Sequence, residues 1–226
     1  MPIDLTELLK GNELVRGRTA SPPVAVLTME LQRGVMGDLA SFPQLAAAAD
    51  EVGVPANAGR LLDAARLLDV PVIHCTAAFR ADRAGTVINT PLHSAVLRRA
   101  DHLLEGSPAV ELIPELGPDP SDLVVARYHG VSPFAGTSLD ATLRNLGVST
   151  VIVTGVSLNL GVLGLCVEAA NLGYQLVVAT DAVCGVPEEY GRRVLAETIG
   201  LLASLATVDE IIGALTPAAT LNPDIV

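Results

Sequence analysis

The sequence predicts an α/β fold of three layers, a central and mainly parallel sheet held between two layers of helices. Three observations carry that expectation. Strand-like apolar runs recur along the chain with helical segments between them, the order that right-handed βαβ crossovers require. The runs are continuous in Val, Ile and Leu instead of alternating with polar residues, as strands covered on both faces are. Half of the 226 residues (50%) are apolar and 17% are charged, a composition that suits a compact core and not disorder.

Taken in order, residues 24–29 form the first strand, followed by polar Glu30, Gln32 and Arg33. Residues 35–56 are rich in Ala, Gly and Pro, with helical turns expected over 45–51. Leu61, Leu62, Ala65 and Leu68 recur at helical spacing and predict an amphipathic helix over 57–68. Residues 70–75 read as the second strand and 122–127 as the third. Between them lies an insertion, residues 79–121, carrying Arg80, Asp82, Arg83, His93 and His102, with a helix expected over 94–104. A connection of that length is often functional, as a lid or a binding arm. A helix over 137–146 is stopped by Gly147. The fourth strand is 150–154, the next helix 163–174 and the fifth strand 175–179. A helix over 188–205, a short strand at 206–208 and a helix over 209–215 complete the pattern. The whole chain, 1–226, reads as a single domain with an N-terminal extension over 1–21.

The formal net charge is −11 and no basic stripe appears, which argues against a nucleic-acid partner. No apolar run reaches the ~18 residues that span a bilayer, and the N-terminus has no signal-peptide pattern. The three cysteines, Cys75, Cys166 and Cys184, lack paired spacing and are expected to be reduced and packed, as in a cytoplasmic protein. The four histidines, His74, His93, His102 and His129, show no metal-ligand spacing, and no phosphate-cradling glycine loop is present. No metal and no cofactor are therefore expected.

Three motifs occur in order: Met29-Glu-Leu-Gln32 after the first strand, Ser132-Pro-Phe-Ala-Gly-Thr-Ser-Leu139 after the third, and Val153-Thr-Gly-Val-Ser-Leu-Asn-Leu-Gly-Val162 into a small-residue helix. Gly173-Tyr174 and Val178-Ala-Thr-Asp-Ala-Val183 follow. On these motifs the chain resembles the isochorismatase-like hydrolase superfamily, the cysteine hydrolases of that fold, over about residues 22–216. The resemblance implies a hydrolase that forms a homo-oligomer and acts on a small molecule. Members typically carry an aspartate, a lysine and a nucleophilic cysteine; the matching positions here are Glu30, Tyr128 and Gly161. Isochorismatases proper are similar in having glycine where the amidases have cysteine, and they work by acid catalysis on an enol ether. Cys166 does not replace the thiol, because five residues along a helix is ~500° of rotation and ~7.5 Å of rise.

Glu30 is the candidate general acid or base: at the carboxyl edge of an apolar strand, partial desolvation would raise its pKa toward neutrality. Tyr128 is a hydroxyl donor and His129 a proton shuttle near neutral pH. Arg127 supplies a cation instead if the match slips by one residue, since successive strand side chains face opposite ways. Ser157 and Asn159 stand in the turn before Gly161, where either caps the helix and backbone N–H groups near Gly161 can hold an oxyanion. The resemblance implies a cis Val156–Ser157 peptide, an Arg83 that binds a substrate carboxylate, and substrate contacts from Gln32, Phe134 and Val156. The expected function is thus a hydrolase acting non-covalently on a small organic acid, enol ether or amide. The alternatives are a catalytically silent member that binds a metabolite or partner, and a structural subunit of a hetero-oligomer.

Overall fold

The structure, a computed structural model, describes residues 4–9 and 23–216. The remainder of the expected N-terminal extension lies outside the described residues. Helix α1, Leu5–Leu9, precedes strand β1, Val24–Met29. Helices α2 (Pro43–Val52) and α3 (Val54–Leu67) lead to β2 (Val72–Ala77). The insertion contributes one short helix, α4 (Pro91–Val96), and two 3₁₀ turns before β3 (Leu123–Arg127). Then follow α5 (Leu139–Asn145), β4 (Thr150–Val156), a π turn over Leu158–Val162 continuing into α6 (Leu163–Asn171), and β5 (Gln175–Cys184). Helix α7 (Glu188–Arg193) runs on through a π and a 3₁₀ turn to Leu201, and β6 (Ser204–Ala206) and α8 (Val208–Leu215) end the described chain.

The six strands form one sheet in the order β3-β2-β1-β4-β5-β6, every neighbouring pair parallel. Side chains of β1 alternate between the two faces, as a pleated strand requires. Val24 and Val26 join the core that α2, α3 and α8 cover, whereas Ala25, Leu27 and Met29 join the one beneath α5 and α6. On α3, Ala58, Leu61, Leu62 and Ala65 are fully buried. Each buried leucine there contributes roughly 1.5–3 kcal/mol. Between β1 and β4 the backbones approach so closely that a Cβ on Gly155 would stand 2.2 Å from the Met29 carbonyl oxygen; glycine is required there.

Three expected elements are corrected. The helix expected over 94–104 is instead α4, started by Pro91 in its first turn and by the Thr90 hydroxyl, which accepts from His93 N. It ends early because the Arg83 guanidinium takes the carbonyls of Arg99, Ala100 and His102, holding that stretch in turns. The helix expected over 188–205 stops at Leu201, which frees Ser204–Ala206 to pair with Val177–Ala179 of β5. The last strand thus lies two residues earlier than expected. No helix among the described residues is long and apolar enough to cross a membrane.

Candidate active site

In this strand order the connections run outward in opposite directions from β1 and β4, so the topological switch point lies between them. Open α/β sheets bind ligands at the carboxyl ends of the strands beside that point. A cavity of about 530 Å³ lies there, lined by Glu30 after β1, Ala77 of β2, Arg127 of β3, and Ser157, Asn159, Leu160 and Gly161 after β4.

Glu30 takes a left-handed backbone (φ 52°), its N–H donating to the Cys75 carbonyl at 2.9 Å. That turn directs the side chain to Arg127, whose Nη2 donates to Glu30 Oε1. The pair is largely buried, with 17% of the Glu30 and 8% of the Arg127 side chain exposed. Arg127 Nε donates to the Gly130 carbonyl at 3.1 Å, while Nη1 is buried and has no partner among the described residues. Glu30 is therefore not simply the partly desolvated carboxyl at a strand edge that the sequence led one to expect. It faces a fixed cation, and a guanidinium N–H remains to be satisfied.

The turn after β4 begins at the cis Val156–Ser157 peptide. Neither Ser157 nor Asn159 caps the helix with its side chain; the Ser157 carbonyl accepts from Leu160 N and Val162 N instead. Asn159 Oδ1 is buried beside Gly185 without a hydrogen-bond partner among the described residues. Gly161 faces the cavity from above Met29, and a Cβ placed on it would stand 2.8 Å from Met29 Cε and 3.1 Å from the Val156 carbonyl. The methionine occupies the room that a side chain at 161 would need.

The structure brings together Glu30, Ser157, Asn159 and Gly161, and leaves out several residues expected beside them. Tyr128 points away from the cavity, 43% exposed, its hydroxyl donating to Glu105 at 2.5 Å. Its neighbour Arg127 lines the cavity instead. His129 does not line the cavity but stacks on His93, which does, with ring centroids 5.2 Å apart. Arg83 spends its guanidinium on carbonyls and on the Phe79 ring, 5.4 Å away. Gln32 is fully buried and clamps the insertion, exchanging hydrogen bonds with Ala77 N and O and donating to the Val110 carbonyl. Phe134 packs on Tyr174 in the core under α5, and Val156 is buried without reaching the lining.

Sequence reading missed the far wall. Phe79, His93, Val96, His102 and Leu103 come from the insertion, and Phe42 and Leu45 from the start of α2. The signal was the apolar content of the insertion, too irregular in period to place any one residue. His102 accepts or donates at Ser41 Oγ (2.8 Å), and burial, then Arg83 and Arg99, push its pKa down to about 4. Burial raises the thiols of Cys75, Cys166 and Cys184 to about 12, and none is exposed. Among the described residues no three His, Cys, Asp or Glu side chains are grouped as a metal needs.

The isochorismatase domain model matches residues 24–210. The chain belongs to the isochorismatase family. It is 30% identical over 200 residues to the uncharacterised isochorismatase family protein YecD of Escherichia coli O157:H7, covering 84% of this chain and 95% of that one. It is 27% identical over 214 residues to the ureidoacrylate amidohydrolase RutB of Agrobacterium fabrum, covering 86% and 91%. An isochorismatase family protein from Burkholderia thailandensis superposes with a TM-score of 0.69 at 27% identity, covering 85% of this chain and 95% of that one. A cysteine hydrolase from Pseudomonas syringae pv. phaseolicola shares the fold, with a TM-score of 0.70 at 22% identity, covering 90% and 98%.

Proposed function

We propose that the protein is a hydrolase of small organic molecules, an amide before an organic acid or enol ether, working without a covalent enzyme intermediate. The observation that carries this reading is the Glu30–Arg127 pair on the wall of a cavity that is also lined by a residue with no side chain, Gly161. The family and the amidohydrolase relative support the reaction class.

Hydrolysis then runs through water. Glu30 accepts a proton from a water molecule as its oxygen bonds to the amide carbon. The Arg127 guanidinium donates to the carbonyl oxygen as negative charge gathers there, the interaction that most lowers such barriers. Glu30 returns the proton to the nitrogen as the C–N bond breaks, releasing an amine or ammonia and an acid. Substrate entry exchanges part of the Arg127 bond to Glu30 for one to substrate, using the guanidinium N–H that has no partner among the described residues. Tyr128 and His129 have no part in these steps.

A second reading, a silent member that binds a metabolite without turnover, is favoured by the same ion pair, because a carboxylate already held by arginine is engaged before any ligand arrives. Turnover on a panel of primary amides, ureides and enol ethers separates the two. The hydrolase reading expects product release, with intact-protein mass spectra during turnover showing no acyl adduct. Ligand-induced thermal shifts with no product from any compound would establish the silent binder.

A further inference from the structure

The Glu30–Arg127 pair is one part of the cavity wall, and most of the remaining wall is apolar. Phe42 and Leu45 reach it from the start of α2, Phe79, Val96 and Leu103 from the insertion, and Leu160 from the turn after β4. Charge is scarce along that wall. Arg127, the one arginine or lysine lining the cavity among the described residues, is matched by Glu30. Arg83 is committed to backbone carbonyls and Phe79. His102, bonded to Ser41, titrates near 4 and is neutral at pH 7. His93 meets Thr90 and Asn89 through Nδ1.

A ligand with a carboxylate remote from its reacting bond would set that charge against Phe, Leu and Val, with no arginine or lysine beyond the paired Arg127 to replace its water. An alkyl or aryl group loses water there to its benefit, about fourfold in affinity per buried methylene. The volume, about 530 Å³, suits a ligand with a body well beyond a bare amide.

We infer that the site selects uncharged amides bearing an alkyl or aryl body, and rejects amides that carry a second, remote carboxylate. The insertion and the start of α2 are the selecting wall. As a statement of substrate class this rests on the hydrolase reading; as a statement of what the cavity binds it does not. The test distinguishes the two.

Succinamate and 4-methylpentanamide match in size and shape and differ in the carboxylate. Binding of each, and of acetamide, butanamide and hexanamide, is measured by calorimetry on the full-length chain, with ammonia release followed in parallel. The expected result is affinity rising about threefold to fourfold per methylene from acetamide to hexanamide, and 4-methylpentanamide binding at least tenfold more tightly than succinamate. Leu45→Asn flattens the rise along the series. Leu45→Arg, which puts a cation on the wall at a half-buried position, narrows the gap between the two isosteres. Preferential binding without ammonia release from any amide leaves this inference standing and removes the hydrolase reading. Succinamate bound or hydrolysed better than 4-methylpentanamide overturns the inference while the hydrolase reading survives. Failure of all five compounds to bind overturns it as well.

Discussion

Met29 and Gly161 divide between them a space that holds one side chain, not two. The methionine is fully buried beneath the glycine, and a Cβ at 161 meets Met29 Cε and the Val156 carbonyl inside contact distance. Gly161→Cys is therefore expected to cost about 1–3 kcal/mol by overpacking, read as a lower urea midpoint. On a Met29→Ala chain the same substitution costs clearly less, because the obstructing thioether is gone. Equal costs in both backgrounds would mean that the methionine does not hold that space. Arg127→Met strands a largely buried carboxylate, with an expected loss of about 3 kcal/mol of stability, whereas Glu30→Gln keeps an acceptor for the guanidinium and costs less. At this scale Glu30 and Gly161 were legible, since each lies at a fixed step from a strand end marked by its motif. The choice between Arg127 and Tyr128 was not. Strand side chains alternate, so an error of one residue in matching reverses which one faces inward, and only the pairing of Arg127 with Ala77 fixes the parity.

Among the elements, the strands were readable because buried parallel strands are continuous apolar runs, and all six begin within two residues of their expected start. The insertion was not readable. Its course depends on long-range hydrogen bonds from Gln32 and Arg83, whose partners lie 16 to 78 residues away, and no local periodicity encodes them. Those bonds place His102 against Ser41 and Phe79, and so give the insertion a pH dependence. Burial lowers the pKa of His102 in the folded chain to about 4, against about 6.5 when unfolded. Between those values the unfolded state binds more protons, so stability rises with pH and is lost as pH falls from about 6.5 to about 4. The buried His74, lowered chiefly by its own desolvation and set between Thr28 and Asp122, acts in the same direction. Urea midpoints measured across that range should fall on acidification, and His102→Asn should make the fall shallower. An unchanged slope in the variant would show that His102 does not contribute.

At the scale of the whole molecule, the sheet order explains how Glu30 and the 157–161 turn meet, although more than a hundred residues separate them in sequence. The chain places β4 beside β1, so the two halves of the sheet diverge at that seam and leave the cavity at its carboxyl end. The parallel sheet was implied by alternating strands and helices; the strand order was not, because the choice of neighbours rests on packing across both faces. The same packing closes every thiol to solvent. Iodoacetamide is expected to modify none of the three cysteines in the native chain and to leave activity intact, while urea exposes all three to the reagent. Loss of activity on native alkylation would point to a thiol in the chemistry. The proton carried by Glu30 is the most direct point of test. For an amide that the protein turns over, kcat and the affinity for a non-hydrolysed analogue are compared between the parent chain and Glu30→Gln. The expected result is a kcat reduced by about 10²–10⁴ with analogue affinity changed less than about tenfold; a Glu30→Gln chain that keeps the parent kcat would contradict it.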